Sequence, residues 1–233
     1  MPIEFMSTYS EGKKIYGVIH FPKKVPAPLV IASHGLFSSK ESEKFIMLGE
    51  LFSENGIALL RYDHRGCGES EGDIRETTPT SRLKDLEAVF SFALAHPLIK
   101  GDRIGLLGSS MGGFISIFKA SSDPRVRALV LWATPMELRK HEGSQEEGLL
   151  GEGFWRDALR YRAKGAMEKV SRCLILHGED DELVPFDHAK RLFEAAKEPK
   201  RLVSFPQGDH RFTDPEDRRR AAEMSLRWFK EFL

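Results

Sequence analysis

The chain of 233 residues has few cysteines, few side-chain amides and no long apolar run. Its two cysteines, Cys67 and Cys173, match no disulfide framework or metal-ligand spacing, so we interpret both as free thiols in a reducing compartment. No stretch approaches the roughly 18 consecutive apolar residues that a membrane-spanning helix needs. Asparagine and glutamine occur only at Asn55, Gln145 and Gln207. Together with the high charge, this scarcity suggests a protein that works at high temperature.

The charge balance excludes a strong global field, because Lys and Arg together number 35 and Asp and Glu also number 35. We therefore expect no nucleic-acid partner and no membrane partner, and a small molecule as the ligand. The one compact basic run, residues 218–220, lies among acidic residues and is interpreted as a solvated helix face. The first 14 residues lack a basic segment followed by an apolar one, so we expect a cytoplasmic protein. A homo-oligomer is compatible with this composition.

Extended and helical patterns alternate along the chain, which predicts an α/β fold with a mostly parallel sheet and helices on both faces. The length suits one domain. The predicted strands are residues 15–21 (in a hairpin with 3–8), 28–33, 57–62, 103–108, 126–132, 172–177 and 201–205. The predicted helices are 41–55, 79–95 after Thr78, 111–121, 187–197 and a last one opened by Asp214 and Pro215. Ligand-binding loops are then expected at the carboxyl ends of the strands.

One segment interrupts this alternation. Residues 135–169 carry five glycines among many charges, together with the apolar side chains of Leu149, Leu150, Phe154 and Trp155. A connection of this length between strands is more often a functional lid than filler. We therefore predict a lid or cap at 135–169 on a core formed by 1–134 and 170–233, with these four side chains in a binding pocket. The alternative is a helix and loop that only cover the sheet.

The most informative motif is Gly108-Ser-Ser-Met-Gly112, a Gly-x-Ser-x-Gly run placed directly between a predicted strand and a predicted helix. A serine is a weak nucleophile unless a base takes its proton, so it must stand on a sharp, accessible turn. Glycines two residues on either side of Ser110 would remove clashes in that turn. Ser109 does not stand between the two glycines, so we predict Ser110 as the nucleophile.

The base and the acid that activate this serine are expected in loops that follow later strands of the chain. His210 follows the last predicted strand on a short turn, whereas the other histidines lie away from strand ends or next to loop glycines. We therefore predict His210 as the base. Glu179, Asp180 and Asp181 all follow the strand that contains residues 174–176, and each is a candidate for the acid that orients the imidazole.

An acyl-transfer site also needs N–H donors for the oxyanion that forms at the substrate carbonyl. The first is expected from Met111, directly after the nucleophile. The second is expected from the loop that follows His34-Gly35, with Leu36 preferred and Phe37 as the alternative. Phe37 is also predicted to contact the substrate.

These motifs resemble those of the α/β-hydrolase superfamily, and the likeness covers nearly the whole chain. Within that superfamily, the chain resembles small bacterial carboxylesterases of the cinnamoyl and feruloyl esterase type and serine aminopeptidase-like members. The matching stretches are 34–37, 63–70, 108–113, 177–185 and 208–212. In the pattern His-Gly-x-x-Asp-x-x-Val-Pro of those proteins the acid aligns with Asp181, so the resemblance implies a Ser110–His210–Asp181 triad. It also implies the α/β-hydrolase fold.

The predicted function is that of a carboxylesterase-type serine hydrolase acting on a small-molecule ester, without a cofactor or a metal ion. Two alternatives stay open. A peptidase or thioesterase would use the same triad, because fold and triad do not determine the acyl leaving group. A non-catalytic ligand receptor on the same fold is the second alternative.

Overall fold

The computed structural model describes residues 2–140 and 147–233, and within them eight strands form a single sheet. In chain order the strands are β1 (Ile3–Ser10), β2 (Lys13–His20), β3 (Ala27–Ser33), β4 (Ala58–Tyr62), β5 (Ile99–Ser109), β6 (Val126–Trp132), β7 (Cys173–Gly178) and β8 (Lys200–Phe205). Their spatial order is β1-β2-β4-β3-β5-β6-β7-β8.

The first two strands form an antiparallel hairpin across Glu11 and Gly12, both of which have positive φ, as a tight hairpin turn requires. Strand β2 is also antiparallel to β4, whereas every pair from β4 to β8 is parallel. All five residues of β4 are buried, which is typical of a strand covered on both faces. The predicted, mostly parallel sheet is confirmed.

Helices cover both faces of the sheet. The seven α-helices within the described ranges are α1 (Glu43–Glu54), α2 (Pro79–Ala95), α3 (Met111–Ser122), α4 (Glu152–Ala158), α5 (Ala163–Met167), α6 (Asp187–Ala195) and α7 (Pro215–Phe232). Phe52 of α1 and Phe229 of α7 belong to the core on one face, and Phe90 of α2 and Ile115 of α3 to the core on the other. None of the helices in residues 2–140 and 147–233 has the length and apolar character that crossing a bilayer requires.

The predicted helix starts at the two Pro motifs are confirmed. The Thr78 side chain accepts a hydrogen bond from the N–H of Ser81, whose hydroxyl accepts one in return from the Thr78 N–H. Asp214 accepts from two N–H groups of the first turn of α7. Each cap satisfies backbone donors that would otherwise lack a partner. In α6 the cap residue is Phe186, and Asp187 lies in the first turn.

The buried face of α2 is not wholly apolar. Leu83 and Leu94 are only half-buried, whereas Arg82 and Asp85 are fully buried beside the apolar residues of the helix. Burying a charged side chain is costly unless its hydrogen bonds are satisfied. Here both side chains have several partners, which places a polar network beneath the loops at the carboxyl edge of the sheet.

The segment after β6 contributes α4 and α5. Asp157 of α4 accepts hydrogen bonds from the N–H and the hydroxyl of Thr80, at 2.7 and 2.9 Å, which attaches α4 to the start of α2. Phe154 is 2% exposed and belongs to the same apolar core as α2 and α3. Residues 141–146 of the predicted lid lie outside the described residues. The division into core and lid stays a prediction.

Candidate active site

Ser110 lies at the junction of β5 and α3, with a backbone φ of 53° and ψ of −121°. A residue with a side chain is strained in this region of the backbone map. A Cβ atom at Gly108 would lie 2.4 Å from the Cα atom of Gly113. One at Gly112 would lie 2.0 Å from the carbonyl oxygen of Ser33. The two glycines of the motif are therefore sterically required, as their spacing around the serine predicts.

His210 lies on the loop between β8 and α7 and faces Ser110. Its Nε2 atom is 3.0 Å from Ser110 Oγ, and its Nδ1 atom is 3.0 and 2.9 Å from the two carboxylate oxygens of Asp181. The backbone N–H of His210 donates to the carboxylate of Glu182 at 3.1 Å, which connects the β8–α7 and β7–α6 loops. The structure thus brings together the three side chains that the sequence indicated as nucleophile, base and acid.

The side chain of Asp181 is fully buried at the end of β7. One carboxylate oxygen accepts hydrogen bonds from the N–H groups of Leu183 (2.9 Å) and Val184 (2.7 Å). Burial raises the pKa of Asp181, but hydrogen bonds from His177, His210 and the backbone lower it by more, so the net pKa lies well below its usual range. The carboxyl group of Asp181 therefore stays ionised.

The two other candidate acids are not at this position. Glu179 and Asp180 are exposed, and Asp181 alone of the three contacts His210. Asp209 accepts hydrogen bonds from Thr213, so its side chain points away from the imidazole that follows it. The residue that the resemblance implied is therefore the one beside the histidine.

His177 supports this carboxylate, a contact that the sequence analysis did not predict. Its Nε2 atom is 2.8 Å from the carbonyl oxygen of Val184 and 3.1 Å from Asp181 Oδ2. Both neighbours are acceptors, so Nε2 carries the proton and donates to them. The four-residue spacing between His177 and Asp181 across a sharp turn is the signal that could have indicated this pair.

The loop after β3 reaches the serine. A Cβ atom at Gly35 would lie 3.5 Å from Ser110 Cβ, which shows how closely this loop approaches. Arg82, which is fully buried, donates to the carbonyl oxygens of Gly35 (3.3 Å) and Leu36 (2.9 Å). Met111 is the first residue of α3, where N–H groups have no partner within the helix. The expected oxyanion donors, Leu36 and Met111, thus lie beside Ser110, and Arg82 is an unpredicted support for one of them.

Two cavities meet at the serine. The larger, of about 440 Å³, is lined on its apolar side by Met111, Leu138, Phe154, Trp155, Val184 and Pro185. Phe37, Phe154 and Trp155 line it, as predicted for substrate contacts. Leu149 and Leu150 do not. Leu149 is 50% exposed, and Leu150 is buried in the core, where its side chain packs instead of lining a pocket.

The smaller cavity, of about 300 Å³, lies between the loop after β3, α1 and the start of α7. Its polar and charged lining residues include Ser42, Glu43, Lys44, Arg211, Thr213 and Arg218. The Lys44 ammonium donates to Ser109 Oγ at 2.8 Å, one residue before the candidate nucleophile. Lys44 was not among the predicted site residues, because a lysine in a predicted helix is usually a solvated surface side chain.

Cofactor and metal binding depend on clustered ligands. In the parts of the chain that the structure describes, no group of three or more His, Cys, Asp or Glu side chains is arranged to hold a metal ion. Cys67 and Cys173 are buried free thiols, as expected. Burial raises the pKa of Cys173 far above its usual range, so this thiol stays protonated.

The fold and the site together define a class of protein. A strained serine stands between a parallel strand and its helix, and a histidine and a carboxylate follow later strands in the chain order Ser, Asp, His. This arrangement on an eight-stranded, mostly parallel sheet is that of an α/β-hydrolase.

The chain belongs to the prolyl oligopeptidase family, since the sequence model of that family matches residues 45–233. Among curated proteins it is similar to YfhR of Salmonella typhi, an uncharacterized protein, with 29% identity over 172 residues. That match covers 67% of this chain and 56% of the relative, so the chain spans little more than half of it. It is also similar to the mitochondrial palmitoyl-protein thioesterase ABHD10 of Mus musculus, at 27% identity over 223 residues, covering 83% and 72% of the two chains.

Among solved structures, the chain is similar to Est1E of Butyrivibrio proteoclasticus with bound ferulic acid. The TM-score is 0.83 and the identity 23%, and the alignment covers 97% of this chain and 99% of the other. At this identity the likeness shows the fold.

Proposed function

We propose that the protein is a carboxylesterase-type serine hydrolase that cleaves short to medium acyl or aryl esters through an acyl-enzyme. One observation carries the proposal: the hydrogen-bonded series from Ser110 Oγ through His210 to the buried carboxylate of Asp181, with distances of 3.0 and 2.9 Å. In this arrangement the imidazole is both a base for the hydroxyl and oriented by an anion.

The reaction begins when Ser110 Oγ attacks the ester carbonyl and His210 Nε2 takes its proton. The N–H groups of Met111 and Leu36 stabilise the oxyanion, and Asp181 offsets the positive charge that develops on the imidazole. The C–O bond to the alcohol then breaks, and His210 returns the proton to the departing oxygen. This leaves an acyl group on the serine and a free alcohol.

Water completes the cycle. His210 takes a proton from a water molecule, whose oxygen attacks the acyl-enzyme, and the carboxylic acid leaves as Ser110 regains its proton. The apolar lining of the larger cavity suits the hydrocarbon part of the acyl group. The balance is one ester and one water consumed, and one acid and one alcohol released.

Two other substrate classes compete within the same mechanism. The name of the mouse relative favours a thioester, and the name of the family favours a peptide. Turnover rates on a para-nitrophenyl ester series from acetate to palmitate, methyl ferulate, acyl thioesters and amino-acid anilides discriminate among them. The proposal expects the highest kcat/KM on an oxygen ester. A higher kcat/KM on a thioester or an anilide would reassign the substrate class and keep the triad.

The nucleophile is tested with Ser110→Ala, for which we expect turnover of para-nitrophenyl butyrate to fall by roughly 10³-fold or more. Ser122→Ala is the matched control, because Ser122 lies at the exposed end of α3 and its hydroxyl contacts only backbone carbonyls of that helix among the described residues. Activity near wild type in Ser110→Ala would remove the assignment. Labelling by a fluorophosphonate probe without turnover of any ester would favour a ligand receptor.

A further inference from the structure

The smaller cavity beside Ser110 has fewer apolar lining side chains than the larger one, which is lined by many apolar side chains as well as by Glu137, Arg139 and Lys140. Three basic side chains and one acidic side chain line the smaller cavity: Lys44, Arg211, Arg218 and Glu43. The acidic residue is already engaged, since Arg218 and Glu43 form an ion pair at 3.0 Å. Outside that pair, the cavity presents the ammonium of Lys44 within reach of the nucleophile.

Lys44 is a cation without an ion pair among the described residues. Its ammonium donates to the uncharged hydroxyl of Ser109, and within residues 2–140 and 147–233 no carboxylate lies within 4.0 Å of it. The lysine also lies in the first turn of α1, where the helix dipole disfavours a cation. Two costs thus fall on one side chain, and an anion bound in the cavity would offset both.

An ester bound at Ser110 would occupy both cavities, with its acyl part in one and its alcohol part in the other. They share five lining residues, among them Ser110 and His210, so an ester whose carbonyl lies at the serine extends into both. The larger cavity is the more apolar in its side chains and holds the acyl group in the proposed mechanism. The alcohol part then lies in the smaller cavity, next to Lys44.

We propose that the natural substrate is an ester whose alcohol part carries a carboxylate, and that Lys44 is the residue that selects it. This inference rests on the proposed function and adds the substrate class. A carboxylate replaces solvent at the ammonium and forms a charge-assisted hydrogen bond in a partly desolvated site, where such a bond is stronger than at an open surface.

The test compares two acetyl esters of the same shape, para-acetoxybenzoate, which is anionic, and para-acetoxybenzamide, which is neutral. We expect Lys44→Met to lower kcat/KM for the benzoate by about tenfold or more, as for the loss of one hydrogen bond to a charged group. The benzamide should change by less than about twofold. Lys44→Arg keeps the charge and should retain the preference.

The matched control is Lys230→Met, which removes the same formal charge from an exposed position on α7. It should leave both substrates unchanged. A second pair, the para-nitrophenyl monoester of succinate and para-nitrophenyl butyrate, places the carboxylate in the acyl part. Lys44→Met should not discriminate within this second pair, because the charge then lies in the other cavity.

The pH dependence gives an independent measurement. Burial lowers the pKa of Lys44 to about 8, and the neighbouring charges act in both directions. These charges are Asp209 and Asp181, which raise the pKa, and Arg211 and Arg218, which lower it. The ammonium is charged below this pKa, so the benzoate-to-benzamide ratio of kcat/KM should be high at pH 7 and fall as the pH rises through 8. The ratio should not change in Lys44→Met.

Each outcome has one meaning. An equal loss on both acetyl esters in Lys44→Met would overturn the inference and leave the esterase proposal intact, since the lysine would then act only through Ser109 and the turn. A loss confined to the succinate monoester would overturn the assignment of the cavities. No hydrolysis of any ester by the wild-type enzyme would refute the proposed function itself, and the inference with it.

Discussion

The substitution Asp181→Asn tests the candidate site most sharply, because it changes charge with almost no change in shape. One oxygen of Asp181 accepts from the N–H groups of Leu183 and Val184, the other is 3.1 Å from His177 Nε2, and His210 Nδ1 is 3.0 and 2.9 Å from the two. The two backbone groups can only donate, so the amide oxygen of asparagine must face them. The amide NH₂ is then directed at both imidazoles.

This orientation reverses the tautomer of His210. An NH₂ group that donates to Nδ1 leaves the proton on Nε2, which then cannot accept the proton of Ser110. The substitution also removes the anion 2.9 Å from the imidazolium that forms in the transition state. With an effective dielectric constant of about 20, the lost attraction is roughly 6 kcal/mol. This corresponds to a fall in kcat of about 10⁴-fold.

The assay is steady-state hydrolysis of a para-nitrophenyl ester by wild type, Asp181→Asn and Asp180→Asn, with the fold of each checked by circular dichroism. Asp180 is exposed and is the control, since its loss removes a neighbouring charge of the same sign. We expect the control to keep kcat within about twofold. If Asp181→Asn kept more than a tenth of wild-type activity, or if Asp180→Asn were the impaired variant, the reasoning from the imidazole tautomer would be wrong.

Two further substitutions test the turn and the loop. Arg82→Met removes both donors to the loop that contains Leu36, so kcat should fall by about tenfold or more while KM stays within about twofold, because the oxyanion is present only in the transition state. A loss of thermal stability with unchanged kcat would contradict this role. Gly112→Ala should abolish folding, since its Cβ atom would lie 2.0 Å from the carbonyl oxygen of Ser33. Gly165→Ala, where no atom lies within 4 Å, should leave the free energy of unfolding unchanged or raise it by up to about 1 kcal/mol, and equal denaturation midpoints for both glycine variants would refute the steric argument.

The fold was predictable because the spacing of apolar residues along the chain indicates which side chains are buried. Strand β4 reads as a short apolar run, and every residue of it is buried in the parallel sheet. The boundaries were less accurate where distant contacts determine them. Strand β5 begins at Ile99 instead of 103, because Ile99 pairs with Ala27 of β3. Helix α6 ends at Ala195 instead of 197, because the N–H of Lys197 donates to the carbonyl oxygen of Val170 instead of continuing the helix.

The position of the candidate site was predictable only in part. Ser110 and His210 follow from a motif and from strand ends, which are properties of the local chain. Arg82 acts on a loop that is distant from it in sequence, so no local pattern marks it, and His177 is indicated only by its four-residue spacing from Asp181. The error at Leu150 has a related cause, because an apolar side chain looks the same in sequence whether it fills a core or lines a cavity.

The two walls of the catalytic cleft derive from separate stretches of the gene. Among the described residues, side chains within 135–140, 154–155 and 184–188 line the larger cavity alone, and side chains within 42–44 and 211–218 line the smaller one alone. Mutations in one stretch leave the other half of the cleft untouched. Evolution or a protein engineer can therefore retune one end of the substrate independently of the other, while the common residues at the serine preserve the chemistry.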